Sequence, residues 1–429
     1  MSGILCVGCG ISREETITGA LVLEQGKPRM DQRQMTMPGM EAAGTAMPTV
    51  FAFDENGEVV LGRDALAGQQ GTFGFCENFL QRPSELLEKQ GDRLEQEHLD
   101  KIRRALSWQK VQDIPGLAGA EISAFRQGVT VFVNALFSHP RYAAQLAEEA
   151  RGCDEIRFAV AYPDHWNRLD TAVYGLVLRG TVLGRGEYQG LPSRLLLVPE
   201  SCALSAGAKK EEGQNQNTFV LRLALNWVDA ACVEDKGGKL LYTAHSARLG
   251  TQVLDRLVQN LFLEQLRQDP QEWEEYQKWG PHDQLLLECR KVRGQIGEFA
   301  AKKAFLQYGN CRPMGLSEER LKEAICQTAL WDIIREDRSA EGEELDLQES
   351  WPELLRKFVV ESRIAMVRQG AIIDRVILAA KDGERALVLQ MLARIFGSLS
   401  PESIVCCSDP GLCICRGLGY LAASCWPQL

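Results

Sequence analysis

The sequence predicts an α/β protein of two lobes, each a mixed sheet flanked by helices. Three observations lead there. Apolar strands alternate with amphipathic helices in both halves of the chain, the pattern by which helices cover a sheet. The 429 residues are 45% apolar and 25% charged, an ordinary globular composition long enough for two or three domains or one two-lobed unit. A polar run at 213–218, Gly-Gln-Asn-Gln-Asn-Thr, marks a boundary by composition. Lobe I is then 1–212 and lobe II 213–429, with a helical insertion over about 260–370 and a closing C-terminal helix assigned to lobe II.

The elements follow in order. GILCVG, from Gly3, is an apolar strand, and TGALVLEQGKPRM a second that ends in a Gly-containing turn. MPTVFAFDENGEVVLGRDAL places Asn56-Gly57 between two alternating apolar runs, a strong hairpin signal. The charge-dense stretch from Ser84 to Lys110 reads as a surface helix. EISAFRQGVTVFVNALFSH has helical apolar spacing, and EIRFAVAYPDHW is a buried strand ending at a proline turn. RLLLVPESCALSAGAKK reads as strand then helix.

The second half opens with the strand FVLRLALNWVDAACVED and the hairpin GGKLLYTAHSARLG. A helix from Gly250 puts Leu254, Leu257, Val258 and Leu261 on one face. Helices are expected to dominate to Gly370. One starts at Ser317, whose hydroxyl caps a first turn carrying Glu318 and Glu319. The acidic stretch at 336–350 reads as a solvated loop. No short internal repeat is visible.

A net charge of −10 argues against nucleic acid as a partner, because phosphate-backbone binding needs a basic face. No segment pairs a charged start with a long apolar core, and the longest apolar run, VTVFVNALF, is too short to span a bilayer. A cytoplasmic protein with no membrane partner is expected. Its 14 cysteines should then be mostly buried free thiols. Cys6-x-x-Cys9 and the group Cys406, Cys407, Cys413 and Cys415 lack zinc-knuckle spacing, and the five histidines show no ligand or triad spacing.

Several segments together resemble the nucleotide-binding domain of the seventy-kilodalton heat-shock chaperones, members of the actin-like ATPases. PTVFAFDENGEVVLGRDAL is similar to that family's early hairpin and helix, CENFL to a segment reading Glu-Asn-Phe-Lys, and FAVAYPDHWN to the strand before the helix that backs the active site. LGTQVLDRLV keeps Gly250 and Asp255 of the segment Leu-Gly-Gly-x-x-x-Asp-x-x-Leu. ECRKVRGQIG is similar to the helix over adenine, and DPGLCICRGLGYLAA to the closing helix. The resemblance implies a two-lobed actin-like (ribonuclease-H-like) fold. No substrate-binding domain is expected after the closing helix.

The family's chemical positions are changed. Its two phosphate loops are Gly-rich turns whose amides approach the anion. The first, Asp-x-Gly-Thr-Thr, becomes Gly8-Cys9-Gly10-Ile11-Ser12, which keeps Gly10 and Ser12 but loses the Asp. The second, Asp-x-Gly-Gly-Gly-Thr, becomes Arg222-Leu223-Ala224-Leu225-Asn226-Trp227. The catalytic Lys falls near Leu80, beside Gln81 and Arg82. The Glu before Pro199 is Val198, with Glu200 as a partial substitute. Glu-x-x-Lys-Arg over adenine becomes Arg290-Lys291-Val292-Arg293-Gly294, and the Gly-Gly turn becomes Ala379-Ala380-Lys381-Asp382-Gly383.

By this resemblance Gly10, Ser12, Arg222, Asn226, Gly250, Arg290, Arg293 and Gly383 are the residues left to meet a nucleotide. No catalytic residue and no metal ligand are assigned. ATP or ADP would bind weakly or not at all, and Mg²⁺ is not expected, since both metal-orienting Asp residues are gone. Arg222 favours a bound anion, or pairs with a carboxylate such as Asp229 or Glu234. The implied function is a pseudo-ATPase that binds a protein partner as a scaffold. The alternative is an active ATP-hydrolysing chaperone-like protein with an altered site.

Overall fold

The structure, a computed structural model, describes residues 3–24, 27–28, 33–40, 45–67, 73–76, 79–89, 120–208, 217–234, 238–278, 282–298, 302–334, 347–380 and 382–424. It is a mixed α/β protein whose sheets are flanked by helices. The chain divides into two compact units, residues 1–212 with 411–429, and residues 213–410. The closing helix, which the sequence places with the second half, therefore belongs to the first unit.

The first unit runs β1 (Gly3–Ile11), β2 (Glu15–Glu24), β3 (Lys27–Pro28), β4 (Arg33–Gln34), β5 (Met47–Pro48), β6 (Phe51–Phe53), β7 (Val59–Leu61), α1 (Gly62–Ala67), β8 (Phe73–Cys76), α2 (Pro83–Lys89), α3 (Ala120–Ser138), α4 (Pro140–Glu149), β9 (Cys153–Tyr162), α5 (Arg168–Arg179), β10 (Glu187–Tyr188), β11 (Leu191–Pro199) and α6 (Glu200–Gly207). Its main sheet has the order β10-β11-β9-β1-β2-β3, with β1–β2 antiparallel and β1–β9 and β9–β11 parallel. The hairpin at Asn56-Gly57 forms. Gly57 has φ +80°, and Asp54 Oδ1 accepts the amides of Asn56 (2.9 Å) and Glu58 (2.8 Å), a short-range turn lock.

The second unit runs β12 (Asn217–Leu223), β13 (Val228–Glu234), β14 (Lys239–Ser246), α7 (Gln252–Arg267), α8 (Pro270–Lys278), α9 (His282–Glu298), β15 (Lys303–Leu306), β16 (Met314–Ser317), α10 (Glu318–Gln327), α11 (Leu330–Ile334), α12 (Trp351–Arg368), β17 (Arg375–Ala379), α13 (Asp382–Ile395) and β18 (Ile404–Cys407). Its sheet order is β14-β13-β12-β17-β18, antiparallel up to β12 and parallel from there. Both main sheets thus share one plan: a central first strand, an antiparallel meander on one side and parallel strands on the other. That repeat is carried by topology, not by sequence identity.

Each unit has its own apolar core. Phe132, Phe137, Tyr142 and Phe158 centre the first; Phe219, Leu254, Val258, Phe262 and Trp351 centre the second. The predicted α7 stripe packs inward, with Leu254, Leu257 and Val258 buried. Ser317 caps α10 by accepting the Arg320 amide at 3.2 Å. Helices dominate the stretch from about 260 to 370 as expected, but the antiparallel pair β15–β16 interrupts them. These strands are four residues each, too short for a period to register. The predicted surface helix at 84–110 is described only to Lys89, where α2 ends. The acidic stretch lies outside the described residues up to 346, as do 213–216 of the boundary run and Glu77-Asn78 of CENFL.

The last helix, α14 (Pro410–Ser424), packs on β1 and α6 of the first unit from Gly411 onward. Among the described residues, no helix is long and apolar enough to cross a membrane.

Candidate functional site

In the first unit, the predicted phosphate turn is the β1–β2 hairpin, and its polar groups are used internally. Ser12 Oγ donates to the Glu15 carbonyl (2.9 Å) and accepts the amides of Glu14 (3.3 Å) and Glu15 (3.1 Å). The Ser12 amide also donates to the Glu15 carbonyl. This closed serine turn satisfies the donors that would otherwise face an anion.

Gly8 and Gly10 share one face of β1, because strand side chains alternate. That face receives α14. A Cβ on Gly8 would lie 2.4 Å from the Cys415 carbonyl oxygen and 3.0 Å from Leu418 Cβ, whereas a Cβ on Gly10 would meet Ile414 at 3.5 Å. The strand neighbours of Gly8 are Gly19 and Ala159, so the sheet is thin at this level. Cys415 Sγ donates to the Gly8 carbonyl at 3.3 Å. Farther along, α14 crosses α6 at two more glycines: a Cβ would stand 1.8 Å from the Ala203 carbonyl at Gly417 and 2.0 Å from the Cys413 carbonyl at Gly207. These glycines allow close backbone approach. The end of α14 is held by Arg157, whose Nη1 donates to the carbonyls of Ala422 (3.3 Å) and Ala423 (3.5 Å).

Arg82, next to the position of the family lysine, is tied to Asp170. That fully buried carboxylate accepts Arg82 Nε (2.9 Å), the Ser84 amide (2.7 Å) and the Asn167 amide (2.9 Å). Asp164 likewise accepts the amide of Ser201 (3.1 Å) and its hydroxyl, which fixes the start of α6; Glu200 beside it is buried.

In the second unit, Asn226 lies in the β12–β13 turn and Gly250 packs against it. A Cβ on Gly250 would fall 2.4–2.5 Å from the backbone of Leu225, Asn226 and Trp227. The amides of Thr251 and Gln252, at the start of α7, donate to the carbonyls of Ala224 (3.0 Å) and Leu225 (2.8 Å). The turn therefore presents carbonyls to the helix N-terminus, where an anion would otherwise be favoured. Arg222, nearly buried, stacks on Trp227 with its guanidinium carbon 5.8 Å from the ring centroid. It is opposite Asp229 in the β12–β13 register, and Asp229 is opposite His245 in β13–β14. Asp229 Oδ1 meets His245 Nδ1 at 2.7 Å. Cross-strand register joins these residues; the sequence offers Asp229 as one candidate partner of Arg222 but gives no sign of His245.

Arg290 and Arg293, expected over adenine, converge on Asp255. Arg293 Nε donates to Oδ1 at 2.7 Å and Arg290 Nε to Oδ2 at 3.1 Å, and the carboxylate is fully buried. This clamp fastens α9 to α7. Gly383 is in the first turn of α13, and Lys381 lies outside the described residues. The structure thus joins Asn226 to Gly250, and Arg290 to Arg293.

Burial governs the thiols. It pushes Cys6 and Cys289 up to about 12, and for Cys289 the Asp255 charge adds to burial. Cys9 is also raised. Such thiols resist forming the thiolate that metal binding or exchange requires. Above pH ~9 the unfolded chain releases protons that the folded chain retains, so stability falls as pH rises, by about 1.4 kcal/mol per pH unit for each thiol. The expected urea midpoint is lower at about pH 10 than at about pH 8; equal midpoints would contradict this burial. Compared with known proteins, the chain matches no family model and no curated protein.

Proposed function

We propose that this chain is a divergent two-lobed actin-like protein, related to the heat-shock chaperone nucleotide-binding domain, that acts as a pseudo-ATPase scaffold for a protein partner. The shared sheet plan of its two units supports the fold part of this reading. The observation that carries the functional part is the filling of Gly8's face by α14, where the family's metal-orienting carboxylate would stand. The residues present do not fit a bound triphosphate. The Ser12 amide and hydroxyl bond within their turn, the Thr251 and Gln252 amides bond the carbonyls of Ala224 and Leu225, and Nε of each arginine donates to Asp255. Phosphoryl transfer depends on positioned charge and metal, and the two metal-orienting Asp positions of the resembled family are Gly8 and Arg222 here.

A phosphate-release assay with Mg-ATP tests the proposal. The expected result is no hydrolysis above background, unchanged by Ser12→Ala or Arg222→Ala. Hydrolysis that drops in either variant would establish the active-enzyme alternative instead.

A further inference from the structure

Helix α12 carries an apolar stripe that no element covers among the described residues. Ile364 is 44% exposed, Val367 55%, and Ile372, just beyond the helix, 65%. With half-buried Val360, the spacing 360, 364, 367 is i, i+4, i+7, the pattern of a helix face packed against another helix. Exposed apolar residues that run together in this way mark a contact surface.

Arg356, one turn before Val360 on α12, lines a cavity of about 400 Å³ between the first turns of α12 and the last turns of α13. Its lining includes Leu355, Leu387 and Met391 together with Glu353, Arg356 and Arg394. The two helices are held together by Arg363, whose Nη1 donates to the Ile395 carbonyl and whose guanidinium lies 5.2 Å from the Phe396 ring centroid. The groove is thus preorganised.

Charge around it is more positive than negative. Arg356, Arg368 and Arg394 are exposed and make no ion pair among the described residues. Of the nearby acids, Glu353, which lines the cavity, accepts from the Ser350 hydroxyl at 3.1 Å, and Glu361 is exposed. An apolar stripe bordered by arginines is complementary to a helix with an apolar face and acidic flanks.

We infer that the α12–α13 face docks an acidic amphipathic helix of a partner protein. One bulky side chain of that helix fills the cavity, and its carboxylates meet Arg356 and Arg394. The inference rests on the scaffold reading by naming its partner class, yet the two fail separately, since peptide binding and ATP hydrolysis are independent readouts.

The test is fluorescence anisotropy on the full chain with two labelled peptides of roughly three heptads, sharing a leucine face but flanked by glutamate or by lysine. The glutamate peptide is expected to bind saturably, and at least tenfold more tightly than the lysine peptide. Ile364→Asp and Val367→Asp, both at exposed positions, should each weaken it about tenfold, equivalent to about 1.4 kcal/mol, without lowering the melting temperature. Arg356→Glu with Arg394→Glu should reverse the preference toward the lysine peptide. Absence of saturable binding, equal affinity for the two peptides, or variants within about twofold of the parent would overturn the inference. So would a dimer in light scattering that Ile364→Asp dissolves, because the face would then belong to a second copy.

Discussion

Gly8→Asp, which restores the carboxylate of the resembled family's first phosphate loop, is expected to destabilise the protein by about 4 kcal/mol or more and to create no Mg²⁺ site. The Cβ alone would stand 2.4 Å from the Cys415 carbonyl, and a backbone atom in a helix packed on the sheet has little freedom to yield. Overpacking of this kind costs about 1–3 kcal/mol, and a carboxylate buried against a carbonyl adds several more. A domain's whole stability is typically about 5–15 kcal/mol, so the variant should be partly unfolded at room temperature. Gly10→Ala is the control. Its Cβ makes only an ordinary 3.5 Å contact with Ile414, and it should lie within about 1 kcal/mol of the parent. Denaturant midpoints measure both. A stable Gly8→Asp protein would mean that α14 yields readily and the face is open to a ligand.

The second large effect is expected at Asp255. Asp255→Ala removes the carboxylate that Arg293 meets in a buried pair, and removal of one partner from such a pair costs about 3–5 kcal/mol. Arg293 should account for most of this. Its side chain is 10% exposed against 36% for Arg290, and water screens the more exposed partner. The double variant Asp255→Leu with Arg293→Met should be milder than Asp255→Ala, because it removes both members of the buried charge pair. If Asp255→Ala were within about 1 kcal/mol of the parent, the clamp would not hold α9 on α7.

What the sequence reveals, and what it hides, follows from the range over which each signal acts. The hairpin at Asn56-Gly57, the Ser317 cap and the α7 stripe are local, set by residues within a few positions of one another, and they are legible. The four-residue strands of β15 and β16 carry too few residues for a period, and they are not. The common plan of the two main sheets is invisible because it lies in strand order and direction. For the candidate site, the sequence picks out the altered positions but not their new partners. The contacts of Gly8 with Cys415, 407 residues apart, and of Arg293 with Asp255, 38 apart, are tertiary. A glycine that serves a phosphate and a glycine that admits a helix read the same in a sequence. The closing helix shows this most plainly: its small residues suit close packing, but only the structure shows that β1 and α6 receive it.

Isothermal titration of the purified protein with ATP and with ADP, each with and without Mg²⁺, tests most directly whether a nucleotide site survives. The expected result is no saturable heat, and no shift in melting temperature at the highest nucleotide concentration. A ligand present at about 100 times its dissociation constant would add about 2.7 kcal/mol, a shift no melting curve would miss. Saturable binding that requires Mg²⁺ would contradict the pseudo-ATPase reading.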